Sequence, residues 1–265
     1  MIGRYVHSSG TKARLLEAVE ALFIEHGYEA MSLRQITTLA GANLAAVNYH
    51  FGSKEALLQE LLSLRLDRLT HERERLLVAC EQAYGERAMD VSVVLSVLFV
   101  PALRLARDSA GGPAFMRLLG RVYSDPSPFI RTYLHDHYEA IFGRFFAAFA
   151  RALPHVPRNE LGVRLQFSLK AVSGVLASEH LDELIAAICV GGPVNDSLLL
   201  SRLLVFVAPM LTTPFDEPVH DAAVARVMGL ADAAAQADKH ANRECAVASK
   251  ASGAPSMWST QLARL

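Results

Sequence analysis

Residues 32–57 read SLRQITTLAGANLAAVNYHFGSKEAL. Leu33, Ile36 and Ala40 stand at i, i+3 and i+7, the spacing of one buried helix face. Ser32 and Gln35 occupy the two ends of a capping box, in which each side chain satisfies an orphan backbone N–H. Gly41 interrupts the pattern. Leu44, Val47 and Phe51 then set a second short apolar stripe, which Gly52-Ser53 ends. Ser53 is the expected N-cap of a further helix. Upstream, Leu15, Val19, Leu22 and Phe23 predict a helix over 11–26, closed by Gly27, where a helix C′ residue needs positive φ.

Two helices joined by a tight turn at Gly41-Ala42-Asn43 have helix-turn-helix spacing. A plain small helical bundle can show the same spacing, so the outward residues matter. On the later helix these are small or able to hydrogen-bond. Such a helix is slim enough for a major groove about 12 Å wide and has polar tips for base edges. Ala45 and Ala46 permit close approach and contact with a thymine methyl. Asn48 suits adenine, and Tyr49 and His50 can reach phosphates or bases. Residues 1–54 hold five cations (Arg4, Lys12, Arg14, Arg34, Lys54) against four glutamates (Glu17, Glu20, Glu25, Glu29), only +1. Placement therefore carries more than total charge. Arg34 falls in a helix's first turn. Lys54 falls at a helix N-terminus, where free N–H groups also favour phosphate.

The whole chain has 265 residues, 52% hydrophobic and 20% charged, with net charge −1. That excludes wholesale disorder and gives no global signal for nucleic acid. Cys80, Cys189 and Cys245 are odd in number and form no CxxC pair, so neither a disulfide framework nor a cysteine zinc site is expected, and a reducing cytoplasm fits. No signal peptide is read at the start. The apolar run 91–103 is too short to span a bilayer and reads as a buried helix, so no membrane partner is expected. His135 and His137 point about 200° apart on a helix, so no metal site is expected. No GxSxG, Gly-rich phosphate loop or carboxylate pair argues for an enzyme, and no cofactor is expected.

Beyond residue 54 the periodicity stays helical. Helices are predicted over 54–83, 90–107, 113–123, 128–153, 158–189, 196–211 and 220–240, separated by Gly- and Pro-rich punctuation. On the polar face of the first, with Arg65, Asp67, Arg68, Glu72, Arg73, Glu74 and Arg75, most residues are expected in solvent or in i,i+4 pairs. The fold class is all-α. The N-terminal arm is 1–10. A three-helix helix-turn-helix domain covers 11–56, with its motif about 31–50. A larger helical domain covers 57–240, and 241–265, with Trp258, reads as a flexible tail.

The run Tyr49-His50-Phe51-Gly52-Ser53-Lys54-Glu55-Ala56-Leu57, with Ser32 to Ile36 and Ala40-Gly41 before it, resembles the TetR family of bacterial transcription regulators. The likeness is close over residues 11–58. It implies a helix-turn-helix unit that binds a palindromic double-stranded DNA operator, and a larger domain that binds a small effector and forms a homodimer. The DNA-contacting set becomes Ser32, Arg34, Asn43, Ala45, Ala46, Asn48, Tyr49, His50 and Lys54. Many members carry Tyr where this chain has Asn48, so a phosphate contact is expected to pass to Tyr49, freeing Asn48 for a base. The wording NLAAVNYHFGSKEAL is similar to the PsrA-type branch, regulators of fatty-acid metabolism. Phe115 to Gly120, Tyr133-Leu134 and Phe142 extend the likeness. It implies a repressor released by a long-chain fatty acid or acyl-CoA.

For the effector pocket, the residues offer apolar walls and scattered cations. Phe99, Phe115, Met116, Leu119, Phe142, Phe146, Phe149 and Phe167 are the apolar candidates. Arg104, Arg117 and Arg121 are candidates to meet a carboxylate or phosphate. For the dimer interface, Leu165, Leu169, Val172, Leu199, Leu203 and Val207 lie on helices more apolar than one buried face needs. Ser173 and Gly174 would permit close approach. Two other readings remain at this point. One is a regulator of other genes with a different apolar effector. The other is a helical lipid carrier that binds no DNA.

Overall fold

The computed structural model describes residues 10–107, 112–176, 196–214 and 218–251. Every regular element among them is an α-helix. The order is α1 (Thr11–Ala30), α2 (Leu33–Ala40), α3 (Leu44–His50), α4 (Lys54–Tyr84), α5 (Val91–Arg107), α6 (Gly112–Ser124), α7 (Pro128–Ala152), α8 (Arg158–Leu176), α9 (Asp196–Thr212) and α10 (Pro218–Ala251). None of the described helices is long and apolar enough to cross a membrane.

The boundaries follow local chemistry. The Ser32–Gln35 capping box forms in both directions and opens α2. Gly41 takes the left-handed conformation at φ 58° and closes it. Asn43 caps α3, accepting the Ala46 amide at 2.9 Å. Ser53 caps α4, accepting the Ala56 amide at 3.1 Å. Gly27 takes φ 77° as expected, but it kinks α1 rather than ending it, and residues 28–30 add one more turn.

Leu15, Val19 and Phe23 of α1 meet Ile36 of α2 and Val47 of α3 in one fully buried cluster, continued by Leu57, Leu58 and Leu62 of α4. Helices α1, α2 and α3 each contact the other two, and α1 also contacts α4. The 31-residue α4, about 46 Å long at 1.5 Å per residue, runs from this module into the larger bundle. There α6 packs against α8, α5 against α4, α6 and α9, and α7 against α4, α5 and α8.

Residues up to Thr213 form one compact unit and Pro214 onward another. The second unit is the helix α10, whose described side chains from His220 to Ala241 are all exposed. Helix α10 runs to Ala251, past the expected start of a flexible tail. Trp258 and Cys245 have no described side-chain environment, and the predicted helical stretch 177–189 lies outside the described residues.

Candidate nucleic-acid interface and interior cavity

Helix α3 has two turns, and one residue, Val47, is fully buried. Leu44, expected in the buried stripe, is 52% exposed, because α1 and α2 leave so short a helix room for one anchor. Ala45, Asn48 and Tyr49 are exposed and stand at i, i+3 and i+4, one face of the helix. Tyr49 is 86% exposed. Its ring meets His50 edge-on at 5.0 Å, and His50 meets Phe51 at 6.1 Å, so His50 is half-buried between them. Ala46 turns inward and packs against the core, which corrects its expected place among the outward residues.

Three of the predicted contact residues have structural duties as well. The Ser32 hydroxyl and the Asn43 carbonyl oxygen are spent on caps, although both residues are exposed. Lys54 is half-buried. Its ammonium donates to the carbonyls of Tyr28 at 3.2 Å and Met31 at 3.1 Å, and lies 4.0 Å above the Tyr28 ring. Among the described residues its third N–H makes no hydrogen bond. Arg34 is exposed in the first turn of α2. Arg14, which was not among the predicted contacts, donates to the Ala40 carbonyl at 3.0 Å, neutralising the negative end of α2. Glu20 is buried on α1 and holds Arg65 of α4 through two bonds, at 3.0 and 2.6 Å.

Tyr28 is a hub. Its amide donates to Asp125, its hydroxyl to Glu55, and its ring stacks on Phe129 at 4.6 Å. The hydroxyl holds the Glu55 carboxyl below the usual carboxylate range, with Glu55's own backbone amide adding to the effect. Burial, then the Glu55 bond, pushes the Tyr28 phenol up. Beside it, Arg121 donates to the carbonyls of Ile24 at 3.0 Å and Glu25 at 3.2 Å. Arg121, expected in the effector pocket, is a clamp between α6 and α1 and does not line the interior cavity between α4, α5, α6 and α7. It closes the carbonyl end of α1 that the kink at Gly27 exposes.

An interior cavity lies between α4, α5, α6 and α7. It is walled by Leu66, Leu69, Thr70 and Arg73, by Leu98 and Tyr123, and by Leu134, Tyr138, Ile141, Phe142 and Phe145. The space left is about 10 Å³, about one water. Of the predicted pocket residues, Phe142 lines it. Phe99, Phe115, Met116, Leu119 and Phe149 are buried in the general core, and Phe146 packs half-buried against it. Phe167 is 66% exposed on α8. Arg104 is exposed on the rim of an open groove between α4 and α5. Arg117 is half-buried, and its Nε has no partner among the described residues. Sequence reasoning missed Arg73, grouped with its charged neighbours on a face expected mostly in solvent or in i,i+4 pairs. It is 5% exposed. Nothing local marks it, since its neighbours Glu72 and Glu74 are charged as well.

The predicted interface residues also shift. Val172 and Val207 are buried in the core and Leu165 and Leu203 pack on it, while Leu169 and Leu199 are half-buried. The outward apolar side chains of these helices are Val163 and Phe167 on α8, and Leu198, Val205, Phe206 and Met210 on α9. The register is therefore offset from the one expected, because α8 and α9 give their other faces to α5, α6 and α7. Ser173 is buried, and the side-chain environment of Gly174 is outside the described residues.

Residues 15–61 match the family described as bacterial regulatory proteins, tetR family. Residues 96–210 match the tetracyclin repressor-like C-terminal domain. A 61-residue stretch is 38% identical to the HTH-type transcriptional repressor KstR2 of Rhodococcus jostii, covering 23% of this chain and 30% of that relative's length. Among solved structures, a tetR family transcription regulator from Shewanella sp. PV-4 is 18% identical, with TM-score 0.48 over 75% of this chain and 96% of that one. GusR of Salmonella enterica is 20% identical, with TM-score 0.42 over 79% of this chain and 99% of that one.

Proposed function

The chain belongs to the TetR family of bacterial regulatory proteins, and from that premise we propose that it is a cytoplasmic, ligand-released repressor acting as a homodimer on a palindromic operator. One observation carries the DNA-binding part: the exposed Ala45, Asn48 and Tyr49 face of a capped, slim helix anchored by Val47. Asn48 reads a base in the major groove, and Tyr49, Arg34 and the free N–H of Lys54 hold phosphates. The repressor sense is supported by the likeness of a 61-residue stretch of the chain to a repressor.

The effector is an apolar molecule that enters between α4 and α7. The NLAAVNYHFGSKEAL wording supports a long-chain fatty acid or its CoA ester, and with it control of fatty-acid metabolism genes. Insertion moves α4 and α6, and both reach the recognition module, α4 directly and α6 through Arg121 and Asp125. The two reading heads of the dimer then change separation and cannot meet both half-sites together. Release requires that the ligand bind the DNA-incompetent state more tightly.

The test is an anisotropy titration of the protein on the intergenic DNA beside its own gene, with and without oleate and oleoyl-CoA. Specific binding released by one of them is the expected result. Specific binding without release keeps the regulator and removes the fatty-acyl effector. A random-site selection that recovers no sequence overturns the DNA-binding reading.

A further inference from the structure

The arginines of the larger domain divide by their company. Arg65 is paired with Glu20, Arg144 and Arg151 with Glu81, and Arg164 with Glu160. Arg121 takes helix-end carbonyls, whose aligned dipoles carry negative charge. Arg73 is more buried than any of these, yet among the described residues no carboxylate pairs with it. Its Nε donates to the Leu98 carbonyl at 3.0 Å and its Nη1 to the Tyr123 hydroxyl at 3.0 Å, two neutral oxygens. A guanidinium in an apolar interior without a counter-charge is an unfavourable arrangement. It becomes favourable when an anion arrives from outside the chain. Arg73 lies in the wall of the interior cavity, surrounded there by leucines and phenylalanines.

We propose that Arg73 anchors the charged head of the effector, which is an amphipathic carboxylate with an apolar body. This rests on the reading of the chain as a regulator that answers an apolar ligand, and it assigns the ligand's head group. The guanidinium fork suits a carboxylate. Tyr123 accepts from Arg73, which leaves its own proton to donate to the same head. Tyr138, whose phenol burial pushes up, stays neutral in the same cavity and adds no repulsion. The apolar body lies along Leu66, Leu69, Ile141, Phe142 and Phe145. The cavity has no room for it in the present state, so binding must part α7 from α4. The bonds that close this seam are Tyr133 to Ser63 at 2.7 Å and Tyr138 to Asp67 at 2.8 Å.

Isothermal titration of the full chain with decanoate and with 1-decanol, both below their micellar or solubility limits, tests the assignment. The wild type is expected to bind decanoate at least tenfold more tightly than decanol. Arg73→Met is expected to bind the two alike, and Tyr123→Phe to shrink the preference several-fold. A strut role alone would weaken both ligands together. Equal binding by the wild type, or an acid preference that survives in Arg73→Met, overturns the anchor while the apolar-effector reading stands. Failure of both probes to bind overturns that reading itself. If thermal melting shows Arg73→Met unfolded, the wild-type comparison and Tyr123→Phe still decide.

Discussion

The backbone amide of Tyr28 donates to Asp125 Oδ2 at 3.1 Å, joining the recognition module to the α6–α7 corner across 97 positions of sequence. The same carboxylate accepts the Ser127 amide at 2.9 Å, and Ser127 in turn donates to Glu29 at 3.0 Å. Asp125 is 4% exposed, so both amides would lose their acceptor in a buried place. Asp125→Ala should cost about 2–3 kcal/mol, read by urea unfolding. Gly27 has φ 77°, and a Cβ there would stand 2.6 Å from Asp125 Oδ2. Gly27→Ala should therefore cost about 1–2 kcal/mol from backbone strain alone, with the clash added. In the double variant the clash disappears, so the two costs should sum to more than the combined one. Strict additivity would mean that the carboxylate does not fill the space a Cβ needs.

Asn48 carries the clearest sequence-reading prediction. Its side chain is exposed, and among the described residues no cap or fold contact uses it. Asn48→Ala should leave the unfolding midpoint unchanged, cost about 1–3 kcal/mol of operator affinity and relax preference at one base pair. Competition between operator variants reads this directly. Equal loss on all sequences would place Asn48 on the phosphate backbone instead.

Lys54 should behave differently, because it works on both sides of the interface. Lys54→Ala removes two hydrogen bonds to the α1–α2 connection and the contact with the Tyr28 ring. It should lower stability by about 1–2 kcal/mol. On DNA it should weaken binding similarly for every sequence and reduce the salt slope by about one. An unchanged salt slope would confine Lys54 to holding the fold.

The helix boundaries were legible because their causes are local. Ser32 with Gln35, Gly41, Ser53 and Pro128 each act within four residues, so the ends of α2, α4 and α7 could be read nearly to the residue. The exposed face of α3 was legible for the same reason, apart from Leu44 and Ala46, whose burial depends on how much room α1 and α2 leave. Arg73 and Arg121 were not legible. What each meets is decided by packing: Tyr123 stands 50 positions from Arg73, and Ile24 stands 97 from Arg121. An arginine on an amphipathic helix looks the same in sequence whether it reaches water, a carbonyl or a cavity. The side of α8 and α9 that faces outward was misplaced because α9 is apolar nearly all round and α8 mixes polar and apolar residues on every side, so neither has the periodicity that assigns a face.

Acid should loosen the junction at Tyr28. The Glu55 carboxyl is held below its ordinary value of 4.5 chiefly by the Tyr28 hydroxyl. A lowered value in the folded state gives stability that is full above the unfolded value and lost as pH falls through the folded one. Tyr28→Phe removes that bond and should destabilise the protein by about 1 kcal/mol at neutral pH. The deficit should shrink as pH drops below the ordinary carboxylate range, because the wild type then loses the same contribution. Urea titrations of both proteins across that range read the convergence. A deficit independent of pH would assign the effect to packing on Phe129.

The outward apolar residues of α8 and α9 give the last prediction. Phe206 is 71% exposed, Phe167 66% and Val205 64%, on two helices that contact each other. Large apolar side chains exposed in this way are costly to leave in water and are suited to an interface core. Phe206→Asp should convert the protein to monomers in light scattering without lowering its unfolding midpoint when compared at monomer concentrations. Val207 is 3% exposed and belongs to the fold, so Val207→Asp should instead unfold the chain. Because the operator reading needs two heads on one duplex, the folded monomer should lose at least a hundredfold in affinity for the full palindrome and little for a half-site. A Phe206→Asp protein that stays dimeric would move the interface away from α8 and α9.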